Sequence, residues 1–408
     1  MTITEYDVGM ATVDITPPVG GPLGGFAARE RHTSTSVYHP LRAVATAIGD
    51  GEHDVMIISL EWLGCYQLAD RIRRAVTRTS GIPEDAVVVN ASHTHCGPAV
   101  HGTGLVAHGW IDDDYVDSAI AAIARAAGIA ARHRNRCTIR YGIGRCDLAM
   151  NRRRPDPDRP PRVFDAMLPN PDGPVDHDVP VLTCHDAASG AVRGILFSYA
   201  CHPTSRGGLA IGGDYVGFAY DHLAEAFPDA QLGFLQGCGG DAKPRPADPG
   251  ADTRQVAGPI AVRSAIEVLR TEPFTPEGLV QAAAAPEGFR RRWAEHWQAT
   301  LDRGDPVETT VPFEIRTVTI GRSLALVGLA GEMTAEHGLR LKRDHGDGYD
   351  AVLPLGYTGA MVGYVPVQRQ FDEYGYEVEL ANLWHLRTGR YLPDTEDRVH
   401  ARIARLLG

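Results

Sequence analysis

The stretch "VVVNASHTHCGPAVHG", Val87 to Gly102, decides how the chain reads. Its opening valines are β-branched and continuous, which is the composition of a buried strand. The run leads into two histidines one residue apart, His93 and His95, and Gly97-Pro98 then turns the chain. Side chains at i and i+2 of a strand share a face, so the alternation predicts that His93 and His95 point into one cavity. Imidazoles at a strand end suit metal binding or acid–base chemistry. Simple hydrogen bonding near a turn is the plainer alternative.

Working outward, strand and helix patterns alternate. "AVATAIGDG", "HDVMIISLEWLG", "RCTIRYGIGRC", "VPVLTCHDAASGAVRGILFSYACHP" and "AQLGFLQGCGG" read as strands, as does the pair within "TVTIGRSLALVGLAGEM". "YQLADRIRRAVTRTSG" reads as a helix with a glycine stop, and "WIDDDYVDSAIAAIARAAGIAARH" as a long helix with acidic residues in its first turn. "YVGFAYDHLAEAF", "GPIAVRSAIEVLRT", "TAEHGLRLKRDHG" and the final "DTEDRVHARIARLLG" also read as helices. The mixture predicts an α/β (mixed α+β) layered domain with a mostly buried sheet. "NRRRPDPDRPPRVFDAMLPNPDGP" and "DAKPRPADPGADTRQ" read as long loops, lids or spacers. No firm domain boundary is visible, so residues 1–408 are expected to form one domain. The weakest join lies near Pro273.

Composition narrows the function. The chain has 408 residues, 43% of them hydrophobic, enough for a large core. Its net charge of −11 argues against a nucleic-acid or anionic-membrane partner. No apolar stretch reaches the ~18 residues that span a bilayer. The start lacks a secretory pattern. Seven cysteines with no C-x-x-C pair fit a reducing compartment, so a cytoplasmic location is expected.

Two further apolar runs end near a metal-capable side chain. "FSYACHPTS" contains His202 before Pro203, and "LVGLAGEMT" contains Glu332. Two histidines and a carboxylate form a ligand set typical of catalytic zinc, with a position left for water. Asp214 in "GGDY" suits either an acceptor orienting a ligand histidine or a helix N-cap.

Six segments, in order, resemble the neutral, non-lysosomal ceramidase family, specifically its N-terminal catalytic domain. They are "VDITPPVGGPLGGF", "NASHTHCGP", "NRRRP", "ACHPTS" with "IGGDYVGFA", "LAGEMT" and "GYVPVQRQFDEYGYE". The resemblance covers nearly the whole chain. It implies zinc-dependent cleavage of the amide of N-acylsphingosine. It also implies one Zn2+ per chain held by His93, His202, Glu332 and Tyr364. By the same resemblance, His95 lies at the reaction centre, and Arg152 corresponds to a family arginine, with the run Arg152, Arg153, Arg154 leaving the register open.

The chain departs from the pattern at the family's nucleophilic serine. The equivalent stretch here is "CGGDAKPR", and Lys243 stands at the serine position. Lys243 reads as a substrate-binding charge, as a general acid or base, or as a solvated loop lysine. Cys96 replaces another family serine and reads as a reactive thiolate or as a small buried residue. The immunoglobulin-like domain and secretion signal usual in the family are not visible. The expectation is therefore a zinc-dependent hydrolase of an amide bond in a small soluble N-acyl or peptide-like substrate, other than ceramide. His95, Tyr364, Lys243 and Arg152 would act in catalysis, and Arg152 and Lys243 would hold an anionic group. An acyltransferase or lyase, and a non-catalytic binding protein, are the alternatives. "VHGTGLVAHGWI" is a candidate lining for a groove that would take a long acyl chain.

Overall fold

The computed structural model of the protein describes residues 4–29, 32–100, 110–244, 251–274, 287–307, 309–384, 387 and 389–408. The proposed groove lining lies almost wholly outside them, at 101–109. The valine run forms the strand Val87–Ala91, every residue of it buried. It pairs in parallel with Asp54–Leu60, at one end of a nine-stranded mixed sheet. The path continues through Arg42–Gly49, Tyr6–Asp14, Asn135–Arg145, Asp178–Asp186 and Val192–Tyr199 to Gln231–Gln236, with Ala251–Gln255 alongside Asn135–Arg145.

The two end strands of this sheet are joined through one amide side chain. Asn90 Oδ1 accepts from Gln236 N–H at 2.7 Å, and Asn90 Nδ2 donates to Gly356 O at 2.8 Å. The outer edge of Val87–Ala91 is not left bare. Ala91 N–H donates to Tyr357 O at 3.1 Å, and Gly359 N–H donates to Val89 O at 2.9 Å. Covering an edge strand in this way satisfies its backbone groups. It also brings the C-terminal ends of several strands to one place.

A second sheet of five strands runs Val352–Leu355, Leu324–Leu329, Thr310–Ile320, Ile260–Pro273 and Gly389–Tyr391. Its Ile260–Pro273 strand corrects the expected helix over 258–271. Ala, Glu, Leu and Arg there are good helix formers, but the interspersed Ile, Val, Ser and Thr are not, and eleven consecutive residues, Ile260–Arg270, pair in register with Thr310–Ile320. The overlooked signal is a period of two: Glu267, Leu269 and Thr271 are buried while Ile266 and Val268 are exposed. Pro273 ends this strand, paired with Gly389, and the part of the expected weak join from 275 onward lies outside the described residues.

Helices Ala69–Ser80 and Asp113–Arg132 pack on each other and on the first sheet, as their apolar spacing predicts. Asp112 caps the second by accepting from Tyr115 N–H at 3.0 Å. Arg73, from the first helix, reaches the second sheet. Its Nη2 donates to Glu314 Oε2 at 2.6 Å, and Arg316 Nε donates to the other oxygen at 2.7 Å. The long segment 151–174 is tied down by bridges at Asn151–Asn170, Arg153–Leu168 and Pro155–Val163. Among the described residues no helix is long and apolar enough to cross a membrane.

Candidate metal centre

His93, His202 and Glu332 each lie two or three residues past a strand end, not in the strand. Val87–Ala91 stops before His93, Val192–Tyr199 before His202, and Leu324–Leu329 before Glu332. The strand-alternation argument for His93 and His95 is therefore corrected. His93 has φ 65°, the left-handed region, which breaks the strand and swings the two rings together. The prediction of a shared cavity holds for a different reason. His95 Nε2 lies 3.2 Å from His93 Nε2.

The remaining predicted ligands converge on the same point. Glu332 Oε2 is 3.1 Å from His93 Nε2 and 3.4 Å from His202 Nε2. Tyr364 Oη is 3.0 Å from His202 Nε2. Glu332 and Tyr364 are direct partners in a two-residue parallel ladder, Glu332–Met333 with Tyr364–Val365. His93, His95, His202 and Glu332 are thereby gathered with Tyr364 in a buried cluster. Three of them, His93, His95 and His202, have ring nitrogens within 4.8 Å of one another, close enough to share an ion.

The tautomers decide whether this cluster fits a cation. His93 Nδ1 lies 2.6 Å from Leu63 O, and His202 Nδ1 lies 2.7 Å from Gly239 O. A carbonyl only accepts, so both Nδ1 atoms carry the proton. Both Nε2 atoms then present lone pairs to each other's surroundings and to the Glu332 carboxylate. Lone pairs facing a carboxylate in a dry site are unfavourable unless a positive centre lies between them. His95 Nδ1 and the Tyr357 hydroxyl are also buried there without hydrogen-bond partners among the described residues. The donor set of imidazole nitrogens, carboxylate and phenol suits zinc.

Electrostatics agree with neutral imidazoles. Burial, with His93 and His202 nearby, holds His95 well below the usual histidine range. Burial and then the Arg152 charge lower His202 to about 4. Burial and Glu332 push the Tyr364 phenol well above its ordinary value.

Arg152 Nη2 donates to Tyr364 Oη at 3.1 Å, and its Nε donates to Glu377 Oε1 at 2.9 Å. Burial opposes the Arg152 charge, but Tyr364 and Glu377 outweigh it and hold its pKa well above the ordinary value. The guanidinium is thus already engaged in positioning the phenol. Lys243 sits on the short strand Ala242–Pro244, opposite Met150 of Ala149–Asn151, and is half-buried. Burial and the nearby Arg152 lower its pKa.

Asp214 proves to be the N-cap and not the orienter of a histidine. It accepts from Tyr215 N–H at 2.7 Å and holds the Ser205 hydroxyl and the Arg206 N–H through the same carboxylate. Backbone carbonyls orient the histidines instead. Cys96 Sγ points at Arg206 O, 3.6 Å away, and burial raises its thiol. It lies outside the imidazole group.

Sequence reasoning passed over Tyr357, Tyr376 and Glu377. The Tyr357 ring packs 4.4 Å from His93, and the Tyr376 ring 5.5 Å from Tyr364. Glu377 also accepts from Arg153 Nη1 at 2.6 Å. Tyr357 and Glu377 are fully or nearly buried polar groups and Tyr376 is partly buried, a signal visible only once burial is known.

No protein-family model and no curated protein matches the chain. Solved structures do. Neutral ceramidase from Pseudomonas aeruginosa superposes with a TM-score of 0.72 at 18% identity, over 98% of this chain and 73% of that one. A ceramidase complexed with C2 gives a TM-score of 0.71 at 17% identity, over 98% and 74% of the two chains. The fold is therefore that of the ceramidase catalytic domain. The fold that the sequence motifs imply is thus the one the structure has, at an identity of 18% or less.

Proposed function

We propose that the protein is a zinc-dependent hydrolase of the carbon–nitrogen bond of a linear amide in a small soluble N-acyl or peptide-like substrate. The observation that carries this reading is the pair of fixed tautomers. Leu63 O and Gly239 O hold His93 and His202 with their Nε2 lone pairs on one buried point beside Glu332. His93, His202, Glu332 and Tyr364 would hold the ion, one per chain. Zinc there supplies Lewis acidity for the amide carbonyl and for water.

The rest of the chemistry falls to the chain. His95, neutral and next to the ligands, takes up and returns a proton at Nε2. Arg152 fixes the Tyr364 hydroxyl, and this polar group in a dry site favours charge developing on the carbonyl oxygen. The serine of the resembling family is replaced by Lys243, so a serine-centred route does not transfer. This supports a substrate other than ceramide.

The test is zinc content by elemental mass spectrometry, for the wild type and for His93→Ala, followed by hydrolysis of a panel of N-acyl amines and dipeptides. About one zinc per chain, lost in the variant together with activity, is expected. Hydrolysis that survives both His93→Ala and His202→Ala, or a wild type that takes up no zinc on reconstitution, overturns the reading. Incorporation of oxygen from labelled water into the released carboxylate distinguishes hydrolysis from acyl transfer.

A further inference from the structure

Only two of the chain's 40 basic Lys and Arg side chains are lysines, Lys243 and Lys342. Everywhere else arginine carries the positive charge, including on the solvated surface. Lys342 is accounted for by ion pairs to Asp176 and Asp178, each at 2.7 Å. Lys243 has no hydrogen bond or ion pair among the described residues.

The two residues that precede it are nonetheless fastened to the metal centre and to Arg152. His202 N–H donates to Ala242 O at 3.1 Å, and Arg152 N–H donates to Asp241 O at 2.9 Å. The Asp241 carboxylate is turned elsewhere. It accepts from Ala335 N–H at 2.7 Å and from Asn151 and Gln370 at 3.2 Å each.

Charge around this strand can be followed group by group. Arg152, Arg153 and Arg369 are linked in a chain with Glu377, Glu373 and Glu336. These three cations meet three carboxylates, the Asp241 carboxylate is buried beside them, and Lys243 stands within electrostatic reach of Arg152 with no ion-pair partner among the described residues. A half-buried cation beside another cation is unfavourable unless an anion joins them.

We infer that Lys243 binds a single carboxylate of the substrate, so that the preferred amides are those of N-acyl amino acids or peptides with a free carboxyl group. A lysine offers a compact point charge with three donors, matched to a monoanion. This deepens the hydrolase reading and rests on it for the amide.

The scarcity of lysine makes the test direct. Reductive [13C]methylation labels the two lysines and the amino terminus, and it keeps their charge. The labelled wild type is titrated with N-acetylglycine, N-octanoylglycine, their neutral glycinamide counterparts and inorganic phosphate. A Lys243→Met variant identifies the signal. The expected result is that the carboxylates shift the Lys243 signal and bind at least about tenfold tighter than the amides, and that Lys243→Met loses this preference while keeping its melting temperature and zinc content. A Lys243 signal unmoved by either carboxylate, or moved equally by phosphate with no preference for carboxylate over amide, overturns the inference. Carboxylate preference without hydrolysis of any ligand would refute the hydrolase reading alone. Hydrolysis of the neutral amides without such preference would refute only the inference.

Discussion

His93 Nε2 and Glu332 Oε2 lie 3.1 Å apart, although their residues come from different sheets and are separated by most of the chain. Neither is part of the long strand that delivers it. His93 is placed by a left-handed backbone at φ 65°, held by its N–H donating to Trp62 O at 2.9 Å and by its ring on Leu63 O. A non-glycine residue in that region costs on the order of 1 kcal/mol, offset here by the surrounding bonds.

This yields a prediction that separates fold from metal. Asparagine tolerates the left-handed region well but cannot replace the imidazole as a ligand. In a chelator, His93→Asn should melt within a few degrees of the wild type. Added zinc at ~1,000 times the wild-type Kd should stabilise only the wild type, by roughly 4 kcal/mol. Equal zinc-induced shifts in the two proteins would remove His93 from the ligand set.

Gly25 tests His95 independently. It has φ +93°, and a Cβ there would lie 2.5 Å from His95 Cγ and Nδ1. Gly25→Ala should displace the imidazole, lowering amide turnover by ~10-fold or more while zinc content stays near the wild-type value. Unchanged turnover would show that His95 takes no part in the chemistry.

The buried ion-pair chain supplies a stability prediction. Glu377 is 1% exposed and receives both Arg152 and Arg153. Glu377→Gln leaves two buried guanidiniums with one charge fewer between them, at a cost of about 3 kcal/mol or more. Chemical denaturation should show this loss. A variant as stable as the wild type would mean that water reaches the cluster.

A second histidine pair should give the fold a pH dependence. His337 Nδ1 and His400 Nε2 lie 3.1 Å apart between helices Ala335–His345 and Thr395–Leu407. Burial holds both imidazoles below their ordinary value of 6.5. Glu396 opposes this at His337, while Arg340, Arg343 and His345 reinforce it at His400 or His337. The unfolded chain therefore binds more protons than the folded one below about pH 6.5, so stability from this pair is complete above that pH and is lost progressively as pH falls from there toward the folded value of about 4 at His337. Melting temperature should drop between about pH 7.5 and about pH 5, and His400→Leu should flatten that slope. Parallel slopes in the two proteins would contradict the assignment.

Much of this was legible in the residues. The valine run, the two long amphipathic helices and the capping role open to Asp214 follow from local pattern. So does the approach of His93, His202 and Glu332, because each sits just beyond an apolar run. Three things were not. The strand Ile260–Pro273 is chosen by its long ladder with Thr310–Ile320, a tertiary effect that overrides the local helix propensity. The left-handed turn at His93 depends on acceptors at Trp62 and Leu63, which are remote in sequence. The engagement of Arg152 by Glu377 joins residues 225 positions apart.

The parallel ladder that sets Glu332 beside Tyr364 has a consequence for how such a chain diversifies. Two residue pairs, Glu332–Tyr364 and Met333–Val365, fix the carboxylate against the phenol. Insertions or deletions in the connecting turns, such as that between His345 and Val352, leave this alignment intact. A slip of one residue in either strand would instead turn that strand's side chain to the opposite face. Length is therefore free to drift around the centre, while register is not.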